Sequence, residues 1–347
     1  MDVKTGIRES DGKTEVVVTL DPEEVKPHVD AYFKQISRAR IPGFRPGKAP
    51  RRLLEQHFGG HEAVYDEIAD DTIEATAAKA VDSCGVIFIT KPVSEASGAL
   101  SDGKPFTYTV YGKVKPEMEL LSYDPVKITL PTFEVTASLV DKQVATLRGY
   151  YDPSDGTLSD EEFCKKAGVE SIDALRGQVR EALEKSRAEN TDRLKEERCI
   201  DALAERLHGD VPQAYVNYTR DDILRDFFNN LQRTGQTFDA FLASQGVTRE
   251  AFDADVAKQA KETAAGALAL DALFKEKGFA VDDADLDEEF SKLSDGEATR
   301  REWEERGQMS MLREGLARQK AAKWLLETAE VAYEEADAES GDEGDEE

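Results

Sequence analysis

Between residues 31 and 60 lie Lys34, Arg38, Arg40, Arg45, Lys48, Arg51 and Arg52, with Glu55 as the only acid, in a 347-residue chain of formal net charge −27. Like charges held together repel, so a basic island in so acidic a chain calls for an anionic partner. Its centre is Gly43-Phe44-Arg45-Pro46-Gly47-Lys48-Ala49-Pro50. Pro42, Pro46 and Pro50 fix φ, and Gly43 and Gly47 open turns that other residues resist. This composition predicts a stiff loop that holds Phe44, Arg45 and Lys48 outward. An aromatic ring flanked by cations suits a phosphate backbone together with a stacking or greasy contact. Arg40, Arg51 and Arg52 would add a longer-range pull. The alternative is a helix–helix turn with a solvated charge run, and loop chemistry alone leaves both readings open.

Other chemistry finds little support in the residues. His57 and His61 have the spacing of a zinc-binding helix, but Gly59 and Gly60 stand between them and would break it. No nucleophile elbow, phosphate-cradling glycine loop or cysteine pair occurs. Cys84, Cys164 and Cys199 are odd in number and far apart, as expected of reduced, mostly buried thiols in a cytoplasmic protein. No apolar run is long enough to cross a bilayer, and the N-terminus lacks the pattern of a secretory signal. The expectation is therefore no catalytic residue, no metal, no cofactor and no membrane contact.

The elements that must carry the loop follow from the hydrophobic pattern. Val3–Arg8 and Thr14–Leu20 read as strands joined by a hairpin turn at Ser10-Asp11-Gly12. Asp21-Pro22-Glu23-Glu24 opens a helix with Val25, Val29, Phe33 and Ile36 on its buried face. A short helix from Ala49-Pro50 to Gly59-Gly60 follows the loop, then a longer one over 62–83. Residues 86–90 read as a strand stopped at Pro92, residues 106–114 as a half-buried strand, and residues 126–130 as a strand or extended connector. After Leu130 the strand signals stop. Helices are expected over 136–148, from the Ser159…Glu162 capping box to Gly168, from Ser171 to Gly209, and over 213–232, 238–244, 248–277, 283–293 and 308–333. The chain is 34% charged and 39% apolar, a balance that favours long exposed amphipathic helices over one compact globule.

Gly43, Phe44, Arg45, Gly47 and Pro50 match the Gly-Phe-Arg-x-Gly-x-x-Pro pattern, with Lys48 inside it. Ile41-Pro42 precedes it, and Arg52-Leu53-Leu54-Glu55-Gln56-His57-Phe58-Gly59 follows. This stretch resembles the ribosome-docking signature of the trigger factor family, bacterial chaperones at the exit of the ribosomal tunnel. The likeness runs through about the first 130 residues and more loosely through the helical second half. It implies an α+β ribosome-binding domain, an antiparallel sheet with helices, followed by an extended all-α domain of long helical hairpins. The partners it implies are the large ribosomal subunit, through RNA and protein at the tunnel exit, and nascent or unfolded polypeptides. Self-association, known among family members, stays open.

One part of the family pattern is missing. Trigger factors usually carry a prolyl isomerase domain of the FK506-binding type, which needs a curved sheet and roughly a hundred residues. The forty or so residues from Leu130 to Ser171 are mostly helical or turn-like. The organisation expected is a docking domain over 1–131, a linker over 132–158 with Tyr150 and Tyr151 as anchors, a helical chaperone body over 159–333, and a disordered acidic tail over 334–347. Phe227, Phe228, Leu231, Phe238, Phe241 and Leu242, with Met309, Met311 and Leu312, are candidates for a client-binding surface, although core faces look the same in sequence. The function expected is an ATP-independent holdase. The alternatives are a prolyl isomerase and a ribosome-free assembly chaperone.

Overall fold

The computed structural model describes residues 1–132, 134–151 and 159–335. Its elements are β1 (Asp2–Ile7), β2 (Thr14–Leu20), α1 (Pro22–Ile36), α2 (Arg51–His57), α3 (His61–Ser83), β3 (Val93–Ala96), β4 (Phe106–Gly112), β5 (Lys127–Thr132), α4 (Ala137–Tyr151), α5 (Asp160–Ala167), α6 (Ile172–Ala204), α7 (Gln213–Thr234), α8 (Phe238–Gln245), α9 (Arg249–Glu276), α10 (Asp283–Ser291), α11 (Gly296–Arg306), α12 (Met309–Thr328) and β6 (Glu330–Glu335). They form two compact units, one of Met1–Glu119 with His208–Lys320 and one of Leu120–Leu207 with Ala321–Glu347. The class is the expected one: an antiparallel sheet with helices first, then helices.

In the first unit the sheet runs β1-β2-β4-β3, all antiparallel. Strand alternation sends Val16, Val18 and Leu20 of β2 and Phe106, Tyr108 and Val110 of β4 to one face. All six are buried with Val25, Val29 and Phe33 of α1 and Val64 and Ile68 of α3. The Tyr108 hydroxyl inside that layer meets Thr76 Oγ1 at 2.7 Å, so it is not left unpaired.

The helical part of this unit is built on α7 and α9, which pack together with α8 between them in sequence. Val256, Ala260, Ala264 and Leu268 of α9 recur every fourth residue and are buried, and the alanines let the neighbour come close. Leu286 and Phe290 of α10 share a second core with Met309 and Leu316 of α12. Between these helices lies a charge-balanced cluster. Arg318 donates through Nε and Nη2 to the two Asp271 carboxylate oxygens, both at 3.0 Å, and through Nη2 to Glu314 at 2.5 Å. Lys115 pairs with Asp271 at 3.0 Å and also with Glu314. Burial opposes the Arg318 charge, but Asp271 and Glu314 outweigh it and hold its pKa above the ordinary value. Burial lifts the Tyr215 hydroxyl, which accepts from Arg318, to about 12.

In the second unit, Val140 and Val144 of α4, Phe163 of α5 and Leu175 and Val179 of α6 form the core. The Ser159–Glu162 capping box opens α5, and Gly168 at φ 73° closes it. Tyr151 packs on Phe163, with ring centroids 6.2 Å apart. Tyr150 is 81% exposed, so one tyrosine anchors this segment where two were expected.

Three elements differ from the sequence reading. Residues 86–90 form no strand. Phe88 makes a single bridge to Val114, and the ladder with β4 forms beyond Pro92 as β3. The Phe88 ring stands 3.0 Å from where a Gly112 Cβ would sit, so a side chain at 112 would press on it. Helix α11 has no buried residue, so no apolar stripe announces it. Helix α12 stops at Thr328, and β6 follows where the helix was expected to continue to Tyr333. The Glu330 N–H donates to the Val126 carbonyl at 2.9 Å and β6 runs parallel to β5. That pairing takes in Glu334 and Glu335, the first acids of the expected tail. Residues 336–347, like 152–158, lie outside the described residues.

Candidate functional site

Ser37 ends α1 and Arg51 begins α2. Between them two tetrapeptides share one pattern: Ile41-Pro42-Gly43-Phe44 and Arg45-Pro46-Gly47-Lys48. The Phe44 N–H donates to the Ile41 carbonyl at 3.1 Å, and the Lys48 N–H to the Arg45 carbonyl at 3.0 Å. Gly43 and Gly47 stand at φ 84° and 81°. Proline second, a positive-φ glycine third and a hydrogen bond from the fourth N–H to the first carbonyl make a type II turn. The loop is thus two such turns in tandem. A Cβ on either glycine would meet nothing, so the backbone angle, not space, demands glycine here.

Three contacts root the loop. Ile41 is buried in the core of the first unit and Ala49 packs against that core. The Gly47 N–H donates to the Ser37 carbonyl at 2.6 Å, which ties the second turn to the end of α1. Phe44 at the tip is 41% exposed. Arg40, Arg45, Lys48 and Arg52 are exposed, and among the described residues none of the four has a carboxylate within ion-pair distance. Arg38, which the sequence reading left out of the site, shares both properties.

Arg51 differs from its neighbours. Its Nη2 lies 2.6 Å from Asp30 Oδ1 and its Nη1 3.6 Å from Asp102 Oδ2. Its guanidinium carbon sits 4.5 Å from the centre of the Phe33 ring. Asp102 also accepts from the Tyr65 hydroxyl at 2.7 Å, and burial, then that bond, pushes the Tyr65 pKa up. The expectation that Arg51 reaches outward to an anion conflicts with this placement, because its charge is already shared by two carboxylates.

The apolar candidates divide into two groups. Phe227 and Phe228 on α7, Phe238 and Phe241 on α8, and Phe252 on α9 form one cluster. Phe227 lies 5.0 Å from Phe241 and from Phe252, ring centre to ring centre, and Phe238 lies 5.0 Å from Phe252 and 5.7 Å from Phe228. Arg249 stacks 5.0 Å above Phe238. None of these rings is fully buried, Phe228 is 46% exposed, and α8 has no buried residue at all. Leu242 is half-buried beside them in sequence, and Leu231 is buried. Phe252 was missed because it follows the Thr248 cap, one turn into a new helix, where the sequence shows no link to α7.

Met309 is 4% exposed and belongs to the α10–α12 core, with Leu312 packed against it. Leu312 is half-buried, and Met311 is 50% exposed. The methionines and the phenylalanines are therefore separate features. A cavity of about 630 Å³ lies in the first unit, walled by Ile87, Met118, Leu268, Phe274 and Phe279 and floored by the Lys115–Asp271–Glu314 pairs. The two histidines are parted as expected: α2 ends at His57, α3 starts at His61, and Gly59 and Gly60 at φ 100° and 103° separate the helices. Among the described residues no group of His, Cys, Asp and Glu is placed to hold a metal ion, and no helix is long and apolar enough to cross a membrane.

Two family models match most of the chain. Residues 1–147 match the family model of the bacterial trigger factor protein, and residues 171–327 match the model of its C-terminus. Only residues 148–170 separate the two matches, too few for a further domain. The trigger factor of Pelotomaculum thermopropionicum is 22% identical over an alignment of 417 positions that covers 90% of this chain and 94% of that protein. A 347-residue chain leaves at least 70 of those positions facing a gap. The trigger factor of Rhodococcus opacus is 32% identical over 157 residues, 45% of this chain and 32% of its own. A solved structure of a trigger factor chaperone aligns over 94% of this chain and 99% of its own at 15% identity, with a TM-score of 0.43. The chain belongs to the trigger factor family of ribosome-associated chaperones, in a form with no isomerase domain between its N-terminal and C-terminal family regions.

Proposed function

We propose that the tandem-turn loop docks this chain on the large ribosomal subunit, on RNA and protein beside the tunnel exit, and that the helical body shelters emerging polypeptide without nucleotide or cofactor. The observation that carries the reading is the tip itself. Arg45 and Lys48, with Arg38, Arg40 and Arg52 around them, are exposed with no carboxylate in ion-pair reach among the described residues, in a chain of net charge −27. Gly43 and Gly47 set the turns, and Phe44 supplies the apolar contact. Docking of this kind releases counterions from RNA, so it weakens steeply as salt rises. The working place is the cytoplasm, where ribosomes and nascent chains are met.

The client surface proposed is the phenylalanine cluster of α7, α8 and α9. Half-exposed rings offer a large apolar area with few rotatable bonds, so they bind varied segments at low entropic cost. Phe227, Phe228, Phe238 and Phe241 are its members from the sequence, and Phe252 joins them. Met311 is the one methionine of the candidate set open to a client. Prolyl isomerisation is not part of the proposal, because residues 148–170 cannot enclose a proline ring.

Replacing Phe44, Arg45 and Lys48 together by alanine is expected to abolish co-sedimentation with ribosomes at low salt. Unchanged pelleting would end the docking reading and favour a ribosome-free assembly chaperone. Suppression of aggregation of an unfolded client, with no nucleotide added, tests the holdase part. Turnover of a proline-containing peptide well above the blank would overturn the non-enzymatic reading.

A further inference from the structure

We infer that Arg51 is a positioning residue for the docking loop: it clamps the loop's C-terminal foot to α1 and to the β3–β4 connection and does not itself grip RNA. The inference rests on the docking proposal and assigns one of its cations a different task. Arg51 is the first residue of α2, directly after the loop. Its guanidinium reaches Asp30 of α1 at 2.6 Å and Asp102 of the β3–β4 connection at 3.6 Å. One face lies 4.5 Å from the Phe33 ring centre. The Phe33 ring in turn meets Tyr65 edge-on at 6.2 Å, and Tyr65 bonds Asp102.

Three elements thus converge on one fork, and its planar geometry suits two carboxylates and a ring at once. Across the loop, the Gly47 N–H on the Ser37 carbonyl holds the other side. Two ties at two points fix the direction of the tip. A loop fixed before docking does not lose that freedom when it binds.

Salt dependence separates a clamp from a contact. An RNA contact carries a counterion term, whereas a clamp changes affinity and leaves that term alone. Ribosome affinity is measured against salt for the full chain and for Arg51→Met and Arg45→Met, with amide hydrogen exchange on the free proteins. Arg51→Met is expected to weaken binding by about five- to tenfold through restored loop freedom, with the slope of log K against log salt unchanged. Arg45→Met is expected to lower that slope by about 0.7–1. In Arg51→Met the Gly47 amide should exchange about tenfold faster, while β2 and β4 amides keep their protection, a local change that general destabilisation would not produce. The swap of Arg51→Asp with Asp30→Arg should restore affinity and Gly47 protection.

A slope reduced by Arg51→Met as much as by Arg45→Met would overturn the inference, and so would unchanged affinity with unchanged Gly47 exchange. If Arg45→Met also leaves binding untouched, the docking proposal fails on its own, and the Gly47 exchange still decides whether Arg51 clamps the loop.

Discussion

The docking loop and the phenylalanine cluster solve one problem in opposite ways. In the function proposed, each presents an apolar group to a partner without losing its shape. The loop takes its shape from the backbone: two Pro-Gly turns, two closing hydrogen bonds and the tie from Gly47 to Ser37. Between the buried Ile41 and the half-buried Ala49 its side chains are exposed, and Phe44 has no ring neighbour to support it among the described residues. The cluster takes its shape from side chains: five rings on three helices brace one another at 5–6 Å, and the backbone beneath is ordinary helix. A backbone-set site holds one geometry and suits one partner. A ring-set site can repack and suits many.

The largest effect that would break this contrast is expected at the glycines. Gly43→Val with Gly47→Val forces β-branched residues to positive φ, at a cost of about 1–2 kcal/mol each. Ribosome affinity should fall at least about tenfold, with suppression of aggregation unchanged; a loop that docks as before would show that the turns are not what sets it. Next comes the ion-pair cluster. Arg318→Ala leaves Asp271 and Glu314 with Lys115 as their one remaining partner in the cluster, and since these side chains keep about a fifth of their exposure, the loss should be about 2–3 kcal/mol. Thermal unfolding reads it, and a change below about 0.5 kcal/mol would place the cluster among ordinary surface pairs.

A smaller effect sharpens the other side. Phe252→Ala should cost about 1–2 kcal/mol because the ring is only half-buried, and it should raise client aggregation while ribosome pelleting stays intact. If aggregation is unchanged, the cluster is packing and not a client surface. The smallest effect is a pH dependence. The Asp285 carboxyl is held below its ordinary 3.8 by the hydrogen bond from Lys320, then by the Asp282 N–H. A carboxyl with a lowered folded-state pKa stabilises the fold above its unfolded value, and that stabilisation is lost as pH falls through the folded value. The Tm difference between the wild type and Asp285→Asn should therefore be present at pH 6 and shrink as pH falls below 3.8; a difference independent of pH would exclude the charge as its source.

The same contrast explains what could be read from the sequence. A backbone-set loop must write its geometry in proline and glycine, so Pro42-Gly43 and Pro46-Gly47 were legible, and with them the outward Phe44. Arg51 was not, because a guanidinium on two acids from distant segments leaves the same letter as one facing solvent. Phe227, Phe228, Phe238 and Phe241 were visible as apolar candidates, but Met309 looked identical to them and is core, with a half-buried Leu312 packed against it. Helices with strong caps, such as α5 between Ser159 and Gly168, were placed to within a residue. Strand β6 was not, since Glu-Val-Ala-Tyr-Glu-Glu continues a helical pattern until Val126 and the rest of β5 offer it a ladder.

That ladder has a consequence for how the molecule is made. The sheet β1-β2-β4-β3 has all its strands once the chain has reached Gly112. Strand β5 leaves synthesis soon afterwards, yet Lys127 pairs with Glu330 and Thr132 with Glu335, so it must wait for some two hundred further residues. Long-range parallel pairing closes late and slowly. During that interval β5 carries Ile128 and Leu130 without their partner strand, and a helper of newborn chains is itself, for a time, a newborn chain with an unpaired edge.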